Sequence, residues 1–308
     1  GIVLKISKGN KLVENAKEGD EVEVITNQTP FYAESGGQVG DQGIISNSKC
    51  KINIQDTQKK MGDLFVHYGT VQKGLFKVGD SVNLEIHIQK RNNSRANHSA
   101  THLLHESLRR TLGKHVTQKG SLVSPDRLRF DFSHNKPIEK DEMIKINKIV
   151  NEMVVGASEV QTRIMTPKEA VSLGALALFG EKYGDEVRVV FMGKDKNGFF
   201  STELCGGTHV KNTKEVGEFK VISESSIASG IRRVEALRNK QLQDYEKSLK
   251  EDRTLKEQNL KDHVNLIKKE LLKLKVKPDF KDNLDLSENL KNLINQLEKI
   301  KIKRIIED

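Results

Sequence analysis

Short alternations of apolar and polar residues fill the first 90 positions. Segments 21–25 (EVEVI), 51–54 (KINI), 64–68 (LFVHY) and 81–88 (SVNLEIHI) put every second side chain on one face. That is the period of a half-buried β-strand. Gly19-Asp20, Gly40-Asp41 and Gly79-Asp80 separate these runs at roughly regular spacing and supply turn residues. The pattern predicts a small antiparallel β-barrel over 1–90.

The period then lengthens. Ala96, Ala100, Leu103, Leu104, Leu108 and Leu112 recur three or four apart, which predicts a helix over 95–112. Asn93 and Ser94 can cap its start, and Gly113 can end it. Segments 115–123 and 128–132 alternate as strands around a turn at Pro125-Asp126. A second amphipathic helix is predicted over 139–155, with Met143, Ile146, Val150 and Met153 on its apolar face. Strands near 160–165, 187–192, 217–223 and 231–237 complete an α/β two-layer domain over 91–238, so the fold class is α+β.

Residues 239–308 are rich in Lys, Glu and Leu. Leu242, Tyr245 and Leu249 keep a 3–4 spacing, as do Leu260, Val264, Ile267, Leu271 and Leu274. The register breaks around 252–257, and 278–283 reads as a turn. Leu286, Leu290, Leu293, Leu297 and Ile300 then resume the spacing. Two such stripes predict an antiparallel helical hairpin or coiled coil. Its leucines read first as packing, and self-association through the same stripe stays open. No internal repeat is present.

Composition adds three constraints. In 308 residues, 52 Lys+Arg stand against 43 Asp+Glu, a net charge of +9. That excess favours a polyanionic partner such as RNA. With two cysteines, Cys50 and Cys205, a disulfide scaffold is excluded and a reducing cytoplasm fits. No apolar run is long enough to span a membrane. The start lacks a signal-peptide pattern and an initiating Met, and the end stops inside a helical pattern. Both ends read as cut, so a piece of a longer protein is expected.

The chemistry is concentrated in the middle region. His98 and His102 lie four apart, on one face of the predicted helix. Far downstream, Cys205 and His209 bracket a Gly-Gly pair that permits a tight turn. Three imidazoles and a thiolate form a mixed donor set suited to one Zn²⁺. Either pair alone is a weak signal; together, in one small domain, they point to a metal site. His105 would face another side of the helix, and Cys50 has no partner residues. The zinc-protease helix motif carries Glu directly after its first His, whereas this chain has Ser99, so a protease is disfavoured.

The stretches 95–102 (RANHSATH), 115–123 (HVTQKGSLV), 128–134 (LRFDFSH), 177–183 (ALFGEKY), 201–209 (STELCGGTH) and 230–236 (GIRRVEA) resemble the editing domain of bacterial-type alanyl-tRNA synthetases. Segment 28–40 (QTPFYAESGGQVG) resembles the Gly-rich part of the barrel that precedes editing in that family. The resemblance covers about 1–238, with its motifs in family order; the hairpin matches in position and character.

The resemblance implies hydrolysis of the ester that joins serine or glycine to the terminal adenosine of mischarged tRNA(Ala). It implies that the parent protein attaches alanine using ATP and Mg²⁺, in an aminoacylation domain outside this chain. His98, His102, Cys205 and His209 match the family's zinc ligands. Thr101 matches a position that faces the amino-acid pocket and senses the serine hydroxyl. Gln118 matches a pocket residue that positions substrate or water. Gly36 and Gly37 bring backbone close to RNA or the pocket, or form a plain turn. Arg95, Lys119, Lys182, Arg232 and Arg233 are candidates for phosphate contacts.

Four protein ligands would fill a tetrahedral site, so the resemblance leaves open whether zinc activates water or holds substrate. Three other readings compete. They are a free-standing trans-editing deacylase, a threonyl-tRNA synthetase editing domain, and a zinc-stabilised tRNA-binding module without catalysis.

Overall fold

The computed structural model describes residues 1–176, 184–196 and 198–307. These form two compact units, Gly1–Leu242 and Gln243–Asp308. No described helix is long and apolar enough to cross a membrane.

The first unit begins with nine strands: β1 (Val3–Lys8), β2 (Lys11–Val13), β3 (Asn15–Lys17), β4 (Glu21–Thr26), β5 (Gly43–Ser46), β6 (Lys51–Lys60), β7 (Leu64–Lys73), β8 (Leu75–Lys77) and β9 (Asn83–Ile86). Seven make one antiparallel sheet in the order β2-β1-β4-β7-β6-β5-β9, and β3 pairs separately with β8. Among the described residues no ladder joins β2 to β9, so the sheet is open rather than the closed barrel expected from the sequence. β2 is three residues long and β9 only four. Such short edges offer few backbone groups to close a ring.

Val3, Ile6, Val22, Val24, Ile45, Ile52, Ile54 and Val71 of the sheet share one core with Phe76 from β8 and Phe31 from the β4–β5 loop. That loop is pinned by a buried ion pair. Asp41 accepts from Arg91 Nε at 2.9 and 2.8 Å, and Arg91 also reaches the Pro30 carbonyl at 2.8 Å.

Arg91 lies in α1 (Ile88–Leu112), which starts well before the predicted 95. Its N-cap is His87, while Asn93 and Ser94 sit inside the helix. Asn93 is used otherwise, its carbonyl and its side-chain oxygen accepting from buried Arg238 at 3.0 and 3.3 Å. Downstream come β10 (Gln118–Val123), β11 (Leu128–Ser133), α2 (Lys140–Val155), β12 (Gln161–Met165), α3 (Pro167–Ser172), β13 (Val187–Asp195), β14 (Gly198–Leu204), β15 (Phe219–Ala228) and β16 (Ile231–Arg238). They build a four-stranded sheet, β10-β11-β16-β15, and a three-stranded sheet, β12-β13-β14. α1 and α2 pack against strands of both sheets. Leu103, Leu104 and Leu108 of α1 meet Phe130 and Phe132 of one sheet and Val190 and Met192 of the other in a single core.

In the second unit, α4 (Asn239–Lys273) and α5 (Leu286–Glu307) pair through Val264, Leu271, Leu293 and Leu297. The register break at 252–257 does not end α4; that stretch is helical and exposed. Buried Asn289 closes the turn between the helices by donating to the Lys281 carbonyl at 2.8 Å and accepting from the Lys281 N–H at 2.8 Å.

His67 offers a pH test of the N-terminal sheet. It is fully buried, its Nδ1–H donates to the Val24 carbonyl at 2.9 Å, and its Nε2 accepts from the Thr29 hydroxyl at 2.7 Å. Burial holds its pKa below 6.5. As pH falls through 6.5 the unfolded chain takes up a proton that the folded chain resists. Stability should therefore fall from about pH 6.5 downward. Melting temperature recorded between pH 7.5 and 5 should drop more steeply for the wild type than for His67→Gln; parallel curves would contradict this. Leu104→Ala, at a fully buried α1 position, should cost about 2–5 kcal/mol in denaturant unfolding.

Candidate metal centre and adjoining cavity

Two chain segments bring four donor atoms together. α1 supplies His98 and His102 from one face, as their spacing of four requires. The loop after β14 supplies Cys205 and His209. One donor atom from each residue falls within 4.8 Å of the others. Cys205 Sγ stands 3.4 Å from His98 Nε2 and 3.3 Å from His209 Nε2. A tetrahedral ion with bonds of about 2.0–2.3 Å needs donors roughly 3.3–3.8 Å apart; both Cys205 separations fall in that range, and the four donors together could hold one ion. His102 Nε2 is buried and has no hydrogen-bond partner in the protein. An orphaned buried nitrogen within such a cluster is available as a ligand to an ion.

Of the two glycines between Cys205 and His209, Gly207 acts through space rather than through turn conformation, while Gly206 faces open space. Neither has positive φ. A Cβ on Gly207 would fall 2.0 Å from His98 Cε1, so only glycine lets the loop lie against that ring. Arg188 of β13 holds the loop by donating to the Cys205 and Gly207 carbonyls at 2.7 and 2.8 Å.

Each imidazole is held by its other nitrogen. His102 Nδ1 lies 2.9 Å from Glu203 Oε2. His98 Nδ1 lies 2.8 Å from Gln38 Oε1, and His209 Nδ1 lies 3.2 Å from Ser99 Oγ. Fixing Nδ1 in this way turns all three Nε2 atoms toward one point. The Glu203 carboxylate is fully committed: its Oε2 also meets His105 Nδ1 at 3.2 Å, and its Oε1 accepts from Ser201 at 3.0 Å.

The cluster is electrostatically coupled. Burial opposes ionisation of Glu203, but His102 and His105 hold its pKa well below the usual carboxylate range. Burial likewise opposes a Cys205 thiolate, yet His98 and His102 hold that thiol far below its ordinary value. Burial works against charge on His102, but Glu203 and Cys205 hold it up at about 10. His209 is pushed down to about 3 by burial and by neighbouring His98. The cluster therefore buries a thiolate and a carboxylate among its imidazoles, a donor set that suits a cation.

A cavity of about 300 Å³ opens beside His98, His102 and Cys205, lined in part by Thr101, Gln118, Phe130, Tyr32 and Arg188. Thr101 is buried and donates to the Asn97 carbonyl at 2.8 Å, four residues back. Its hydroxyl hydrogen is spent, so its oxygen is left as an acceptor. Gln118 opens β10 next to a register shift in the β10–β11 ladder. Tyr32 comes from the N-terminal loop, its hydroxyl donating to the Ser35 carbonyl at 3.1 Å, and burial pushes its pKa up to about 12.

The four basic candidates within the described residues differ in their surroundings. Lys119 is exposed beside Gln118. Arg95 is half-buried and lines a second cavity together with Lys211. Arg232 is paired with Glu224, and Arg233 grips Asp131 with two bonds of 2.7 and 2.8 Å. Lys182, and the whole 177–183 motif, fall outside the described residues.

The sequence reading passed over Gln38, Glu203 and Ser99. Glu203, two residues before Cys205, and Ser99, beside His98, sit next to the ligands in sequence and could have been suspected on that ground. Gln38 carried no local signal, since only the tertiary fold brings it to His98.

Two family profiles match the chain. One, described as "tRNA synthetases class II (A)", matches residues 1–90. The other, "Threonyl and Alanyl tRNA synthetase second additional domain", matches residues 187–235, which include Cys205 and His209. Among curated proteins, the alanine–tRNA ligase of Chelativorans sp. (strain BNC1) is 55% identical over 242 residues, covering 77% of this chain and 27% of the relative. The alanine–tRNA ligase of Mesorhizobium japonicum is 54% identical over the same length and share. That of Rhizobium johnstonii is 51% identical over 250 residues, or 80% of this chain and 28% of the relative. With more than half of its aligned residues shared with these ligases, and with a length spanning 27% of the first of them, the chain belongs to the alanine–tRNA ligase family.

Proposed function

We propose that this chain carries the editing activity of its family: hydrolysis of the ester joining serine or glycine to the 3′ end of mischarged tRNA(Ala), at a centre that holds one Zn²⁺. The observation that carries this reading is the four-donor cluster opening onto a cavity sized for an aminoacyl group, with an acceptor hydroxyl, Thr101, on its wall. Three imidazoles and a thiolate are a zinc-type donor set. Bound zinc supplies Lewis acidity for a carbonyl oxygen. The attachment of alanine by the whole protein, with its ATP and Mg²⁺, belongs to the same proposal, and no residue of this chain is assigned to it. A cytoplasmic location goes with that role.

The protein's own residues do the selecting. A synthetase pocket sized for alanine admits smaller glycine and cannot strongly reject serine, which adds one hydroxyl. A second site that hydrogen-bonds that hydroxyl can separate serine from alanine by roughly 10⁴. Thr101 Oγ1 accepts the seryl hydroxyl, because its own hydrogen is tied to the Asn97 carbonyl. Glycine has no hydroxyl, so its hydrolysis leans less on Thr101. Gln118 offers both an amide N–H and a carbonyl, which can hold the ester and a water in line. Glu203 orients His102 rather than taking a proton, since both its oxygens are occupied. Lys119, exposed next to Gln118, meets the phosphate backbone of the incoming strand, and Arg95 extends the basic surface.

Cys205→Ala should lose zinc and lower hydrolysis of seryl-tRNA(Ala) by more than about 100-fold, beyond the 10–100-fold typical of losing an outer hydrogen bond. Undiminished hydrolysis, or tRNA binding with no hydrolysis even in the zinc-loaded wild type, would overturn the reading; the second result is that of a non-catalytic tRNA-binding module. Thr101→Val should narrow the discrimination of seryl- from alanyl-tRNA by at least about tenfold, while glycyl-tRNA hydrolysis changes less. Equal losses on seryl and glycyl substrates would contradict a hydroxyl-sensing role.

A further inference from the structure

The loop between β4 and β5 belongs in sequence to the N-terminal sheet, yet its tip ends inside the metal cluster. Ser35 and Gln38 exchange two backbone hydrogen bonds of 3.1 and 3.0 Å. Gly36 and Gly37 between them have φ of 58° and 87°. These are the values of a two-residue type I′ turn, which asks for positive φ at both central positions. A Cβ on Gly37 would lie 2.6 Å from the Ser121 carbonyl oxygen of β10, so the turn sits hard against that strand. Gln38 pairs with Val123 of β10, and its side chain is completely buried.

The Gln38 amide orientation is fixed by a neighbour that can only donate. The Thr208 backbone N–H lies 3.0 Å from Gln38 Oε1. A backbone N–H has no lone pair to offer, so the atom facing it is the oxygen. The amide nitrogen then donates to Thr208 Oγ1 at 2.8 Å. His98 Nδ1 meets the same oxygen at 2.8 Å. Nδ1 must therefore carry a proton, so that in the neutral ring the lone pair is on Nε2, the nitrogen facing Cys205 Sγ. One amide from the N-terminal region thus sets the tautomer of a ring on α1 and anchors the residue next to His209.

We propose that Gln38 is a positioning residue for the metal centre, and that residues 1–90 thereby take part in holding the ion. This rests on the metal reading given above. Losing an outer-shell hydrogen bond of this kind weakens metal affinity by about 10–100-fold. The alternative, a staple that only tethers the loop, predicts lower stability without a change in affinity or tautomer.

The full chain discriminates between them. Zinc affinity is measured by competition with a chromophoric chelator for wild type, Gln38→Met and Gln38→Glu, with metal-free melting curves alongside. Gln38→Met removes the acceptor and should weaken zinc binding by about 10–100-fold. Gln38→Glu keeps an acceptor for both His98 and Thr208 and should bind at least as tightly as wild type. Long-range ¹H–¹⁵N spectra of zinc-loaded wild type should show a protonated His98 Nδ1. Should Gln38→Met not fold, Gln38→Asn, one methylene too short to reach His98 from the same backbone, replaces it. Wild-type affinity in the Met or Asn variant, equal weakening in the Glu variant, or an unprotonated His98 Nδ1 would overturn the inference while leaving the metal reading intact. A wild type that binds no zinc would overturn both.

Discussion

Everything at the candidate site depends on turning three imidazole rings so that their Nε2 atoms face one thiolate. A histidine ring left free can rotate and present either nitrogen. Here each ring is locked through Nδ1, by an amide oxygen, a carboxylate and a hydroxyl on Gln38, Glu203 and Ser99. The locks come from a loop, a strand and the helix itself, so the cluster exists only when those elements are docked. The buried Asp41–Arg91 pair and the Gly207–His98 contact serve the same end. The first ties the Gln38 loop to α1; the second lets the cysteine loop close over it.

The electrostatics follow from this geometry. A thiolate and a carboxylate are buried beside the imidazolium of His102, with His209 kept neutral. Buried charges are costly unless they are paired or bound to a cation. The cavity then places that charged floor beside Thr101, whose oxygen is an acceptor because helix geometry hands its hydrogen to Asn97. The proposed metal retention and hydroxyl selection would both draw on residues of α1.

Much of this was legible in the sequence where the relevant contacts are local. The four-residue spacing of His98 and His102 follows from helical periodicity, and the apolar stripe of α1 was visible up to Leu112. What escaped was set by tertiary contacts. The start of α1 at Ile88 depends on Arg91 finding Asp41 across the fold. The barrel expected over 1–90 is an open sheet, because alternation reports strands but not whether the outermost two meet. α4 runs straight through the apparent break at 252–257, since an exposed helix needs no apolar stripe there. Charge alone could not show that Arg232 and Arg233 would also engage Glu224 and Asp131, which lie far from them in sequence or on a neighbouring strand. Gln38 was invisible because nothing near it in sequence shows that it would lie against His98.

The central claim is that one ion sits among three imidazoles and one sulfur. X-ray absorption at the zinc edge of the zinc-loaded protein tests it most directly. The account predicts a first shell of three nitrogens at about 2.0–2.1 Å and one sulfur at about 2.3 Å. A shell of nitrogen and oxygen alone, with no sulfur scatterer, would contradict it.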